Sequence, residues 1–363
     1  MVETIMEMVE IESPSDNKKA ADTMAARLAE MFSRLGGELR LHRAQEFGDH
    51  LQVDFSGDRG APILLLGHYD TVYPLGTLRG MPCRRANGRI WGPGVLDMKS
   101  GIALMLHALE FLQLRNRRER RPVIVLLVSD EEVGSSSSRQ ITETLARKAA
   151  AVLVLEPSYG LRGAVKTARK GVGQYTIKVT GKGAHAGLDF KKGANAIVEM
   201  ARQIIRVSNY TDLERGITVN AGTIQGGTRG NVVPAEAVAT IDLRSARMKD
   251  AAGMDRKFRA LKPFDRRCRV EVSGEINRPP MERTAAVAAL FAKASEIARD
   301  LGWKLQEAAV GGASDGNFTA GMGIPTLDGL GGVGEGAHAI SESVLISELP
   351  RRAALLAELI QRV

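Results

Sequence analysis

The sequence predicts an α/β protein in which a mixed sheet flanked by helices is interrupted by a smaller inserted domain of ferredoxin-like βαββαβ order. Three observations carry this expectation. Short apolar strands alternate with helical stretches through the first half of the chain. The middle then runs strand, helix, strand, strand, helix, strand. After it the α/β character returns, so the first domain must resume beyond the insertion. A chain of 363 residues also exceeds the usual size of one core, which fits two domains.

Each element follows from local pattern. Residues 20–35 repeat apolar side chains at helical spacing and stop at Gly36-Gly37. The runs 63–66, 123–128 and 151–155 are continuously apolar, as in strands buried on both faces. Helices are expected over 100–114 and 135–148. In the insertion, 172–180 alternates like a half-exposed strand. Helices at 195–207 and 249–261, with strands at 217–225, 232–243 and 269–273, complete the βαββαβ order. A helix at 284–301 opens the returning segment. The chain thus divides into a discontinuous domain, 1–170 and 277–363, and an inserted domain, 171–276.

Composition narrows the function classes. With 44% hydrophobic residues and ordinary charge content the chain reads as globular. No apolar run approaches the ~18 residues of a membrane helix, so no membrane partner is expected. Met1-Val2-Glu3-Thr4 carries neither the basic nor the apolar region of a signal peptide. Cys83 and Cys268, far apart in sequence, are expected as free thiols in a reducing compartment. Together these point to a cytoplasmic location, while a leader trimmed ahead of the short first helix is compatible with the sequence. The net charge is +8, and part of the excess lies in Arg115-Asn116-Arg117-Arg118-Glu119-Arg120-Arg121, read as a solvated loop. Nucleic acid is not expected as a partner, because aromatics are only 4% of the chain and none lies in that run.

Ligands of open α/β sheets bind beyond the carboxyl ends of the strands. Acids and histidines gather at such places here. Gly67-His68-Tyr69-Asp70-Thr71-Val72 follows the strand 63–66, and Ser129-Asp130-Glu131-Glu132-Val133-Gly134 follows 123–128. Leu155-Glu156-Pro157-Ser158, Gly94-Val95-Leu96-Asp97-Met98-Lys99 and Gly336-Ala337-His338 complete the series. Taken singly each has an ordinary structural explanation: a capped loop, a helix N-cap, a solvated helix start. Five of them at one predicted edge supply two histidines and several carboxylates, the ligand chemistry of a two-zinc site. Such a pair of ions needs a shared ligand, and one carboxylate can bridge them. Asp70 is placed to receive the other ring N–H of His68. Of the adjacent Glu131 and Glu132, one can bind metal while its neighbour takes a proton from water.

With these motifs the chain resembles the zinc-dependent exopeptidase and deacylase family that includes glutamate carboxypeptidase, aminoacylase, acetylornithine deacetylase and succinyl-diaminopimelate desuccinylase. The likeness runs from Ile11 nearly to the C-terminus and is nearest to the glutamate carboxypeptidase branch. It implies two zinc ions, or cobalt or manganese in their place. Asp97 would bridge them, with His68 and Glu156 completing one site and Glu132 and His338 the other. Glu131 would be the general base and later the proton donor to the leaving amine, and Asp70 would orient His68. The resemblance also makes the inserted domain a lid and dimerisation domain. There Gly181-Lys182-Gly183-Ala184-His185-Ala186-Gly187 matches a segment whose histidine reaches the partner subunit's site in a homodimer and steadies the oxyanion. Asn231, Arg244 and Arg278 match residues that contact the substrate, Arg278 gripping its carboxylate, and Gly312 lies in a loop near the same end. His42, His50 and His107 match no motif and are expected to be structural or exposed.

One departure bears on the substrate. The carboxypeptidase has a lysine eight residues after its equivalent of Glu156, where this chain has Ala164; Lys166 and Arg169-Lys170 are near but out of register. The resemblance thus implies an amide hydrolase acting beside a free carboxylate on a small peptide or an N-acyl amino acid. A carboxypeptidase leads, with an N-acyl-amino-acid deacylase or a dipeptidase as alternatives. A binding protein that keeps the fold without turnover would lack a ligand or the base, and all of them are present.

Overall fold

Strands covered on both faces explain the unbroken apolar runs. Ile63 and Leu65 point into one apolar cluster, and Leu64 and Leu66 into another on the opposite face. Val123, Val125 and Leu127 join the first cluster, and Leu126 and Val128 the second. Each such side chain contributes about 1.5–3 kcal/mol on full burial. In the computed structural model, which describes residues 1–114 and 121–363, these strands form one sheet. Residues 115–120 of the basic run lie outside the described residues.

Among the described residues the sheet has six strands, in the order Glu38–His42, His50–Phe55, Val123–Val128, Ile63–His68, Ala151–Val154, Thr326–Leu327. The last four run parallel to one another, and the first two are antiparallel additions, so the sheet is mixed. Helices Lys18–Arg34, Ser100–Leu114, Ala285–Asp300 and Leu349–Arg362 line the first cluster, and Arg139–Ala146 lines the second. This unit comprises Met1–Ala168, Arg283–Val310 and Ser314–Val363.

The second unit, Arg169–Glu282 with Gly311–Ala313, carries a four-stranded antiparallel sheet among its described residues. Gly171–Thr180, Thr218–Gly226, Glu236–Ser245 and Arg269–Arg278 are its strands, with helices Ala196–Ser208 and Met248–Arg259 between them. The spatial order is second, third, first, fourth, and the chain order is βαββαβ. Ile177, Val179, Met200, Ile241, Met254 and Phe258 share its core, where Tyr175 stacks on Phe258 at 4.5 Å between ring centroids. The entering and leaving strands of this unit are neighbours: Val172 pairs with Arg278, and Arg169 and Met281 exchange backbone hydrogen bonds. Residues 169–170, 277–282 and 311–313 thus group with this unit, beyond the 171–276 span expected from sequence.

Several element bounds differ from expectation for identifiable reasons. The strand expected at 232–243 is broken at Pro234, which has no N–H to give a ladder. Val232–Val233 pairs instead with Ala184–His185, and only Glu236–Ser245 joins the larger sheet. The helix expected at 135–148 begins at Arg139 because the Asp130 carboxylate captures the N–H and hydroxyl groups of Ser137 and Ser138. Arg269–Arg278 is an edge strand, so its polar residues and Gly274 prolong it past Ser273 without hurting a core. Glu38–His42 was not expected at all, being exposed along most of its length.

Two glycines bring other segments against the backbone that carries Glu156. A Cβ on Gly101 or on Gly331 would overlap the Leu155 carbonyl oxygen. Gly101→Ala is therefore expected to destabilise the protein by about 1–3 kcal/mol, the usual range for overpacking. Gly230→Ala, where a Cβ meets open space, should leave the melting temperature unchanged. Thermal denaturation of the two variants beside the native protein checks this, and equal melting temperatures would show that the Gly101 contact is not tight.

Candidate metal centre

The parallel strands end together. Leu66 pairs with Val154 and His68 with Val128, so the residues that follow each strand emerge at one edge. His68 ends its strand, Glu131 and Glu132 lie in the turn after Val128, and Glu156 lies two residues past Val154. Asp97 and His338 arrive on loops. His68 Nε2 stands 3.1 Å from Asp97 Oδ1 and 3.3 Å from Glu156 Oε1. His338 Nε2 stands 3.4 Å from Asp97 Oδ2 and 3.2 Å from Glu132 Oε1. The two oxygens of Asp97 therefore face different histidines. Glu131, 9% exposed, has a ligand atom within 4.8 Å of those of His68 and Glu156.

Asp70 organises this edge from beneath and is fully buried. The ring N–H at Nδ1 of His68 donates to the Asp70 carbonyl oxygen at 3.0 Å, and Asp70 Oδ1 is farther off at 3.4 Å. The sequence reading had Asp70 receiving this ring N–H, and the nearer acceptor is its backbone oxygen. The carboxylate instead accepts from the Ser15 hydroxyl at 2.7 Å and from the Glu131 and Glu132 N–H groups at 3.4 and 3.2 Å. One residue thus orients His68 through its backbone and holds the glutamate turn through its side chain.

Sequence reasoning missed Glu342. Its buried carboxylate accepts from the N–H groups of Gly94, Leu96 and Asp97 at 3.0, 2.8 and 2.9 Å and from the Tyr73 hydroxyl at 2.6 Å. The only available signal was its place four residues after His338. The unmatched histidines are structural: His50 is buried against Ser129 and Ser137, His42 contacts Gln52, and His107 contacts Thr4 and Glu110.

The other expected residues belong to the second unit. His185 is exposed, and the N–H groups of Gly187 and Leu188 both donate to its Nδ1 at 3.1 Å. A neutral His185 therefore carries its proton on Nε2 and can donate it. The Asn231 carbonyl accepts from Ala186 N–H at 3.0 Å, which ties it to the same loop. The Gly312 carbonyl accepts from the Arg169 guanidinium at 3.2 Å. Arg278 ends its strand nearly buried. Arg244 is already engaged, with Nε 2.9 Å from Asp242 Oδ1 and Nη2 3.0 Å from Asp242 Oδ2. Residues two apart on a strand share a face, and that places this carboxylate within its reach.

The electrostatics follow from packing acids around imidazoles. Burial opposes charge on His68, yet the nearby carboxylates of Asp70, with Oδ1 still 3.4 Å away, and of Asp97 and Glu156 hold its pKa well above the ordinary imidazole value. The hydrogen bonds to Asp97 and then Glu132 push His338 up to about 10. Burial works against the Asp97 carboxylate too, but hydrogen bonds from His338 and His68 outweigh it and keep its pKa below the usual range. Burial raises the Glu132 carboxyl. Imidazole nitrogens and carboxylate oxygens this close are the donor set that zinc, cobalt or manganese takes, so the residues present fit metal binding.

Imidazoles and carboxylates gathered at the carboxyl edge of an α/β sheet define a metal-dependent hydrolase. The chain belongs to Peptidase family M20/M25/M40, whose model matches residues 64–362, and it is a metallopeptidase of that family. It is 30% identical to carboxypeptidase G2 of Pseudomonas sp. (strain RS-16), over 99% of this chain and 88% of that protein. It is 32% identical to acetylornithine deacetylase of Myxococcus xanthus, over 49% of this chain and 48% of that protein. Aminopeptidase PepT from Bacillus cereus shares the fold, with a TM-score of 0.78 at 23% identity, over 99% of this chain and 96% of that one. Among the described residues no helix is long and apolar enough to cross a membrane.

Because His68 and His338 both hold protons tightly in metal-free protein, metal must displace them. Apparent affinity should therefore rise with pH through the range in which the acid-flanked imidazoles lose their protons. Competition with a chromophoric chelator at stepped pH, together with proton release in weakly buffered solution, measures this. Affinity that does not change with pH would remove the two histidines from the ligand set.

Proposed function

We propose that the protein is a two-zinc carboxypeptidase that cleaves the amide bond beside a free C-terminal carboxylate, with cobalt or manganese able to replace zinc. The observation that carries this reading is Asp97, whose two oxygens face His68 on one side and His338 on the other. His68, Asp97 and Glu156 would hold one ion, and Asp97, Glu132 and His338 the other. When bound, the ions polarise the scissile carbonyl and make water a better nucleophile near neutral pH. Glu131 takes the proton of the attacking water and returns it to the leaving amine. Asp70 holds the Glu131-Glu132 turn still through its hydrogen bonds to both N–H groups. His185 donates its Nε2 proton to the developing oxyanion.

Arg278 is the residue proposed to hold the substrate carboxylate, as a guanidinium can do through two parallel bonds. Asn231 and Gly312 would also contact the substrate, and Arg244 would join only by exchanging Asp242 for it. A homodimer that lends His185 across subunits is supported by the second unit itself. Thr218–Gly226 is an edge strand with Ile224 exposed, and Ile197, Val198 and Ile205 lie exposed on one face of the neighbouring helix. Unpaired Cys83 and Cys268 accord with a cytoplasmic location.

A second reading, an N-acyl-amino-acid deacylase, is favoured by the relative named acetylornithine deacetylase. Release assays on peptides and on N-acyl amino acids separate the two. Strict preference for C-terminal glutamate is not expected.

Glu131→Gln is expected to retain its metal yet lose about 10²–10⁴ in turnover, the range for a missing general base. Near-native turnover would remove Glu131 from that role. Mixing Glu131→Gln with His185→Ala under subunit exchange should restore activity, since one site of each heterodimer has both native residues. Exchange without recovery would place His185 in its own subunit's site or outside the reaction. Amidating the substrate carboxylate should raise KM in the native enzyme and change little in Arg278→Ala. Equal cleavage of acid and amide by the native enzyme would defeat the carboxypeptidase reading.

A further inference from the structure

The ligands of the proposed centre are held in two different ways. His68 and Glu156 come straight off paired strands of the sheet. Asp97 and His338 do not. Asp97 and Met98 have non-helical dihedrals in the segment before helix Ser100–Leu114, and His338 sits at φ +63°, a region costly for a residue with a side chain. Something other than regular secondary structure must set the distance between them.

The geometry points to Glu342 as the positioning residue that fixes Asp97 against His338, and so sets the affinity of the ion that these two share with Glu132. This rests on the two-ion reading above. Glu342 closes the loop that bears His338: its N–H donates to the Ala339 carbonyl at 3.0 Å, and its carbonyl accepts from Gly92 N–H at 3.3 Å. The next residues, Ser343–Leu345, pair with Gly334–Glu335 on one side and Arg89–Trp91 on the other. The strands that feed the two loops are thus neighbours in one small sheet. At its end the Glu342 side chain reaches across and takes three backbone N–H groups of the 94–97 loop. Tyr73 adds a third strap, its hydroxyl standing 2.6 Å from the carboxylate and 3.0 Å from the Ala339 carbonyl.

The acceptor must be a carboxylate. Four donors converge on two oxygens, and bonds from neutral N–H groups to an ionised acceptor are the stronger kind. A glutamine has one carbonyl oxygen to offer, and its amide N–H groups would oppose at least one of the backbone donors. The side chain is fully buried, so water cannot take over.

Glu342→Gln and Tyr73→Phe test the assignment, with zinc titrated against a chromophoric chelator and cobalt as a spectroscopic probe of each step. Native protein should bind two ions. Glu342→Gln should weaken one of the two steps about 10–100-fold, the usual effect of losing a supporting partner, and leave the other closer to native. Tyr73→Phe preserves the carboxylate charge, so a purely electrostatic role predicts no change, whereas positioning predicts a smaller loss at the same step. Native stepwise constants in both variants, or equal weakening of both steps, would overturn the assignment. If Glu342→Gln does not fold, judged by far-UV circular dichroism, Tyr73→Phe decides by the same criterion. Native protein that binds fewer than two ions would overturn the two-ion reading and this inference together, while a native pair with unaltered variants overturns this inference alone.

Discussion

Mutual repulsion among carboxylates is the constraint around which the first unit is built. Asp97, Glu131, Glu132 and Glu156 converge on two histidines, with nitrogen–oxygen separations of 3.1 to 3.4 Å at the closest pairs. Acids gathered this closely at a largely buried edge resist ionising together unless cations lie among them. The apolar sheet therefore does more than fill a core. Strands buried on both faces give the acids a rigid edge from which they cannot swing apart into water.

That edge is supported unevenly, and the unevenness explains which residues surround it. Where a ligand leaves a paired strand, glycines suffice: Gly101 and Gly331 let neighbouring segments close on the Leu155 carbonyl beside Glu156. Where a ligand sits in irregular backbone, buried carboxylates take over. Asp70 collects N–H groups from the glutamate turn, Asp130 collects the serines after it, and Glu342 collects the Asp97 loop. The same residue type serves as proposed metal ligand and as loop fastener. The difference lies in whether backbone donors or imidazoles face its oxygens.

This division also shows what a sequence can disclose. Residues that act by their own chemistry stood out, because His68 and Glu131-Glu132 follow apolar strands at a recognisable distance. The α/β class and the βαββαβ insertion were legible from periodicity for the same reason. Residues that act by fastening backbone did not stand out. Glu342 bonds to the N–H of Asp97, 245 positions earlier, and an N–H has no residue identity to read. The pairing of Arg244 with Asp242 was legible, because residues two apart on a strand share a face. The break at Pro234 was visible as a residue, but its consequence depended on which partner strand waited on either side.

The pairing of Val172 with Arg278 carries a consequence for how the molecule assembles. The first unit is written in separated pieces, and its distant candidate ligands would ordinarily have to find one another across a very long loop. Closure entropy grows with the logarithm of that length, and contacts so remote slow folding. Once the insertion folds, its two ends lie side by side on adjacent strands, and the long detour contracts to the width of a strand pair. The insertion then behaves toward its host as a hairpin turn behaves toward its strands. Its separate core holds that turn without side chains from the host's apolar clusters.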